Sequence, residues 1–255
     1  MGKAFDLSLV LVFLPELLRY LHITLIVLAG SISLGLVLGL LLAVVRLYRI
    51  PLLSQFATVY ISFMRGTPIL IKLFLIYYGL PELMRPLGVD LSRADPMLFV
   101  IVTYALSDAA SFAEIYRGAV RSVDKGQTEA AYASGLTAFQ SFRRIVAPQA
   151  LVVAFPNMAN TLIGSLKDTS LAFSVGVMDM VGRGQTLISA TSHALEVYIS
   201  LAIVYYVIVL VLERIIAAAE GRLQRHQLRP LQAGKRRAFV TSGLKKGLKG
   251  IGVRS

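Results

Sequence analysis

Residues 23–45 read ITLIVLAGSISLGLVLGLLLAVV, 23 positions without one charge. Residues 145–166, IVAPQALVVAFPNMANTLIGSL, repeat the pattern over 22 positions. An apolar run of this length crosses a hydrocarbon core of roughly 30 Å as a helix. The rest of the chain agrees. Of 255 residues, 56% are hydrophobic, and the mean hydropathy is +0.71. A soluble domain of this length carries more polar positions and shorter apolar runs. The pattern predicts an all-α polytopic membrane protein with five spans, at about 21–45, 52–80, 96–120, 143–166 and 194–219.

Charges interrupt two of these spans: Arg65 and Lys72 in the second, Asp108 and Glu114 in the third. Ahead of the first span, residues 4–18 are apolar around Glu16, so 1–20 reads as an interfacial helical segment. Asp6, Glu16 and the lack of a small-residue cleavage site argue against a cleavable signal. All spans are therefore expected in the mature chain. With the N-terminus outside and the C-terminus inside, the inner segments hold 18 Lys and Arg against 6 in the outer ones. The positive-inside rule favours that orientation.

Several chemistries find no support. There are no cysteines, hence no disulfides and no thiolate ligands. His22, His193 and His226 are far apart and have no metal-ligand spacing. No nucleophile–base grouping marks a membrane enzyme. No internal repeat of the kind common in secondary carriers is visible.

The inner loop 121–144, RSVDKGQTEAAYASGLTAFQSFRR, is too polar for the membrane and too long for a turn. Glu129-Ala130-Ala131 opens a helix-forming stretch, and Gly135 permits a sharp turn through positive φ. Short helices joined at Gly135 suit either a plain connection or a docking surface.

At this loop the chain resembles a known family. Glu129-Ala130-Ala131, Gly135, Ile145 and Ala147-Pro148 match the EAA loop of bacterial ABC importer permeases, with Ala147 where that pattern has Leu. Further blocks occur in order: Arg65-Gly66-Thr67-Pro68, Tyr77 to Pro81, Ala113-Glu114-Ile115, Arg117-Gly118, Lys125-Gly126-Gln127, Pro148-Gln149-Ala150 and Lys167 to Leu171. Together they resemble the polar amino acid branch, the histidine/glutamine/arginine/cystine permeases, over about residues 15–220.

The resemblance implies the type I importer permease fold and a mechanism. The loop docks in a groove of a cytoplasmic ATPase subunit, with Glu129, Ala130, Ala131 and Gly135 as coupling contacts. ATP is used by that separate partner, and this chain binds no cofactor; it contains no phosphate-binding Gly-x-x-x-x-Gly-Lys-Ser/Thr loop. A second permease subunit, expected to be an identical copy, completes the pathway. An extracytoplasmic binding protein delivers a polar amino acid for import across the cell membrane.

Ionisable groups at membrane depth face a partner or a water-filled cavity. By depth, Arg65 matches Glu114 and Lys72 matches Asp108, so pairing and substrate contact both remain open. Lys72 and Asp108 depart from the family pattern, where Gln and a small or uncharged residue are common. Their opposite charges suit a zwitterionic substrate, with cystine or a neutral polar amino acid favoured. Pro68 removes a helix donor and is expected to kink or unwind span two. Asn157 and Asn160, three apart on span four, share a face, and Lys167-Asp168 closes that span; these four complete the expected substrate pathway. Tyr77-Tyr78 fits an interfacial aromatic belt. Val181-Gly182-Arg183-Gly184 reads as an outer loop.

The tail 221–255 has ten Lys or Arg, no Asp or Glu, and a single aromatic, Phe239. Lys245, Lys246 and Lys249 alternate with Leu244, Leu248 and Ile251, a pattern suited to membrane lipids on the inner face. Nucleic acid is not an expected partner, because a folded reader or interleaved aromatics would be needed.

Overall fold

The computed structural model describes the backbone over residues 5–250 and side chains over residues 5–223. The order is α1 (Leu7–Leu18), α2 (Leu21–Leu47), α3 (Leu53–Gly66), α4 (Ile69–Met84), α5 (Pro96–Arg121), α6 (Lys125–Ala133), α7 (Ala138–Ser141), α8 (Ala147–Asp168), α9 (Met180–Thr191) and α10 (Ala194–Gly250). Four stretches are each long and apolar enough to span: Leu21–Leu47, Pro96–Arg121, Ala138–Val175 and Ala194–Leu223. A fifth forms if the bent pair α3–α4 counts as one. The side chains of the basic tail stretch 244–251 lie outside the described residues.

The bundle is organised around α5, which packs against α2, α3, α4 and α8. Its closest neighbour is α2. Ser31, Gly35, Gly39 and Ala43 recur every fourth residue on the buried face of α2, and Ala105, Ala109 and Ala113 repeat the spacing on α5. Small residues at this period let two helices approach until backbones touch. A Cβ added at Gly39 would lie 2.7 Å from Phe112 Cβ and 2.9 Å from the Ala109 carbonyl. One at Gly35 would lie 3.0 Å from Asp108 Cβ. The outward faces remain apolar and exposed, as lipid-facing helices require: Val37 and Leu41 on α2, and Phe56, Val59 and Phe63 on α3.

Span two is broken at Thr67-Pro68, as Pro68 leads one to expect. Helices α3 and α4 meet at 115°, with Pro68 capping α4 and Thr67 extended. Span four is longer than its uncharged run. It starts at α7, passes a π-helical turn at Phe142–Val146, and continues beyond α8 as a 3₁₀ turn at Thr169–Val175. The π turn directly precedes Pro148, which offers no N–H to the carbonyl four residues back, and within it Ala147 N–H bonds to Phe142 O.

Helix α1 packs onto α9 and α10 through Phe13 and Leu17, which meet Met180, Leu187, Val197 and Leu201. Arg183 donates to Glu16 at 2.9 Å. The stretch Val181 to Gly184, expected as a loop, is instead the first turn of α9. Its glycines serve close packing, since a Cβ at Gly182 would sit 2.8 Å from Phe173, and one at Gly184 2.8 Å from Leu201. Asp179 caps this helix by accepting the Gly182 N–H at 2.9 Å. Burial nonetheless pushes its carboxyl up to about 6.

If the α2–α5 approach is as tight as these distances state, Gly39→Ala destabilises the chain by about 1–3 kcal/mol through overpacking. Gly30→Ala, whose added Cβ would lie 3.2 Å from Ile101 Cγ2 and meet no backbone atom as near, costs less. Thermal unfolding of the two variants in detergent compares them directly; equal midpoints would refute the close approach.

Candidate functional site

Two regions hold the residues singled out above. The first is the loop after α5. Asp124 caps α6 by accepting the Gly126 N–H at 2.7 Å. The helix ends in a Schellman motif: Gly135 N–H donates to Tyr132 O at 2.9 Å, and Leu136 N–H to Ala131 O at 3.1 Å. This termination needs a left-handed residue, and Gly135 supplies it at φ +80°. Thr137 and Gln140 then form a capping box that starts α7. Gln149 Nε2 donates to Gln127 Oε1 at 2.6 Å, tying α6 to α8.

Glu129, Ala130 and Gly135 are exposed on this loop. Ala131 is not: it is 4% exposed, its small side chain turned toward the protein. The sequence reading missed the aromatics beside it. Tyr132, Phe139 and Phe142 are 51%, 70% and 47% exposed. All three are exposed, Tyr132 on α6 and Phe139 and Phe142 at the start of span four. Their presence amid polar residues was the available signal.

The second region lies at the centre of the bundle. Because Pro68 has no N–H, the Met64 carbonyl four residues back loses its helical donor. Lys72 fills the gap: its Nζ donates to Met64 O at 2.8 Å and to Ser107 Oγ at 2.5 Å. Lys72 is 5% exposed and Asp108 7%. The two make no direct contact; Asp108 Oδ1 accepts from Ser165 Oγ at 2.6 Å. Its other oxygen, Oδ2, is buried without a hydrogen-bond partner among the described residues. Direct pairing of Lys72 with Asp108, one of the two readings left open, is not formed; each makes its own polar contact, Lys72 to Ser107 and Asp108 to Ser165. Tyr104 donates to the Asp168 carbonyl at 2.7 Å and holds the end of α8 against α5.

The pairing of Arg65 with Glu114, left open on the same ground, is not formed either. Glu114 takes Arg46 of α2 and Arg117 of its own helix. Arg65 is exposed at the end of α3 and makes no salt bridge among the described residues. Asn157, Asn160 and Lys167 are exposed on α8; Asn157 Nδ2 lies 3.4 Å from the Val153 carbonyl, a long bond to its own helix. The structure therefore brings Lys72, Asp108 and Asp168 to one side of α5 and leaves Arg65, Asn157, Asn160 and Lys167 on open surface.

Comparison with known proteins follows this geometry. A family model described as "Binding-protein-dependent transport system inner membrane component" matches residues 35–225. The L-cystine transport system permease protein TcyL of Bacillus subtilis (strain 168) is 57% identical over 229 residues, 90% of this chain and 96% of that one. The glutamine transport system permease protein GlnP of Escherichia coli (strain K12) is 36% identical, with 86% of this chain and 98% of that one covered. Among solved structures, one titled "Crystal structure of an amino acid ABC transporter with histidines" superposes with a TM-score of 0.77 at 28% identity, covering 86% of this chain and all of that one.

If Lys72 replaces the donor lost at Pro68, Lys72→Met, which keeps the volume but not the N–H, lowers stability by about 1–3 kcal/mol. Lys72→Gln, whose amide still donates, recovers most of that loss. Unfolding midpoints in detergent decide, and indistinguishable Met and Gln variants would remove this role.

Proposed function

The chain belongs to the family of binding-protein-dependent transport system inner membrane components, and we propose that its cargo is a polar amino acid, cystine first. It is a multi-pass inner-membrane permease subunit, and ATP hydrolysis belongs to a partner ATPase. The observation that carries the substrate reading is the 57% identity to an L-cystine permease over nearly the whole length of both chains. Lys72 and Asp108 support it, because a zwitterion needs both signs of charge in a dry site. A buried carboxylate oxygen without a partner is a costly feature, and a substrate ammonium arriving at Asp108 Oδ2 relieves it. Glutamine, the cargo named for a 36% identical relative, is the second reading.

Our reading extends to coupling and topology. The N-terminus lies outside and the C-terminus inside, by the excess of Lys and Arg on the inner segments. The face of α6 and α7 bearing Glu129, Ala130, Tyr132 and Phe139 seats in the ATPase, with Gly135 fixing the angle between the two short helices. Two identical copies form the pathway, with the exposed faces of α8 bearing Asn157 and Asn160 turned to water or to the second copy.

Uptake of labelled amino acids into vesicles, with the ATPase, the binding protein and internal ATP, tests the cargo. Saturable accumulation of cystine that requires ATP is expected. Accumulation of glutamine but not cystine would move the substrate to the second reading, and accumulation without the ATPase would end the importer reading.

The coupling loop has its own test. Gly135→Val places a β-branched residue in left-handed backbone, at about 1–2 kcal/mol of local strain. The variant is expected to reach the membrane in normal amount and to lose most ATP-driven uptake. Uptake equal to the parent would remove the docking role of this turn.

A further inference from the structure

The connection between α2 and α3 lies against the end of α5 and borders an open cleft of about 460 Å³. Four guanidinium groups line it: Arg46, Arg49, Arg117 and Arg121. One carboxylate, Glu114, binds Arg46 and Arg117 from the side. Arg49 and Arg121 have no salt bridge among the described residues. Like charges held this close repel, and an anion between them relieves the repulsion. Arginine suits phosphate oxygens in particular, through its planar fork of donors.

The backbone here is bent to present these groups. Arg49 and Leu52 sit at φ 52° and 63°, positive values uncommon for residues with a side chain. Strain of this kind persists where the surroundings over-determine it, and it clusters at ligand sites. Ser54, Gln55 and Thr58 add polar atoms to the wall.

The rim separates a lipid from a free ion. Tyr48 and Leu52 are 79% and 78% exposed beside the cleft. From there Phe56, Val59 and Phe63, all exposed, run along one face of α3 at helical spacing. A soluble phosphate has no use for that apolar strip; a phospholipid does, with its headgroup in the arginine pocket and its acyl chains along α3. Basic pockets between spans on the cytoplasmic side suit anionic headgroups. We infer that Arg46, Arg49, Arg117 and Arg121 form a binding site for the headgroup of an anionic phospholipid. Its placement in the inner leaflet rests on the orientation proposed above; the binding itself does not.

Native mass spectrometry of the full chain in detergent, with equal phosphatidylglycerol and phosphatidylcholine of the same chain length, tests this without transport or topology. The parent is expected to retain phosphatidylglycerol preferentially. Arg49→Gln/Arg121→Gln cuts that retention about thirtyfold, and Arg121→Gln alone about fivefold. Arg143→Gln/Arg144→Gln, which removes the same charge from the exposed π turn, leaves it unchanged. Equal loss in both double variants would mean diffuse charge and no site. Absence of a phosphatidylglycerol preference, or its displacement by excess inorganic phosphate, would likewise overturn the lipid assignment. A failed uptake assay would leave each of these outcomes readable.

Discussion

The contact between α2 and α5 is the constraint on which the bundle depends. Lipid tails are as apolar as leucine, so burying leucine between helices gives little drive toward association in a membrane. Close van der Waals packing must supply it. Gly35 and Gly39 bring the α2 backbone onto Ala105, Ala109 and Phe112. That approach fixes the depth of α5, and α5 carries Tyr104, Ser107, Asp108 and Glu114 to their partners. Gly35 itself faces Asp108, so the same small residue that permits packing leaves room for a buried carboxylate.

Charge follows from the breaks in regular structure. At Pro68 a missing N–H orphans the Met64 carbonyl, and Lys72 answers it. Irregular backbone at membrane depth is tolerated where protein or cavity water satisfies it, and here an ammonium does so. At Pro148 the same lack accompanies a π turn inside span four, between α7 and α8. The loop is built as two short helices joined through a left-handed glycine and welded to α8 by Gln127 and Gln149. This contact links the loop to α8, in a subunit whose ATP is used by a separate partner. The chain is the membrane component of such a transporter; the hydrolysis that powers it occurs in another subunit.

The spans were legible because an uncharged run of 23 residues has few other uses, and Pro68 and Gly135 announced a break and a turn through their backbone chemistry. What escaped was side-chain partnership across distant sequence. Depth alone matched Glu114 with Arg65, yet Arg46, 68 positions earlier, takes it, because the glycine-mediated approach of α2 brings that arginine nearer than the bent α3 brings Arg65. Glycines at 182 and 184 suggested a loop, since glycine serves turns and close contacts alike and sequence does not separate the two. The inward turn of Ala131 and the outward display of Tyr132 and Phe139 depend on which face of α6 meets the bundle, and a nine-residue helix is too short for periodicity to show it.

The most direct test of the account uses the absence of native cysteine. Phe139→Cys places one thiol on the face assigned to the ATPase. In intact cells an impermeant maleimide should leave it unlabelled, and a short bifunctional reagent applied to inverted vesicles should join it to the ATPase subunit. Labelling from outside, or capture of the binding protein in place of the ATPase, would contradict both the orientation and the docking surface.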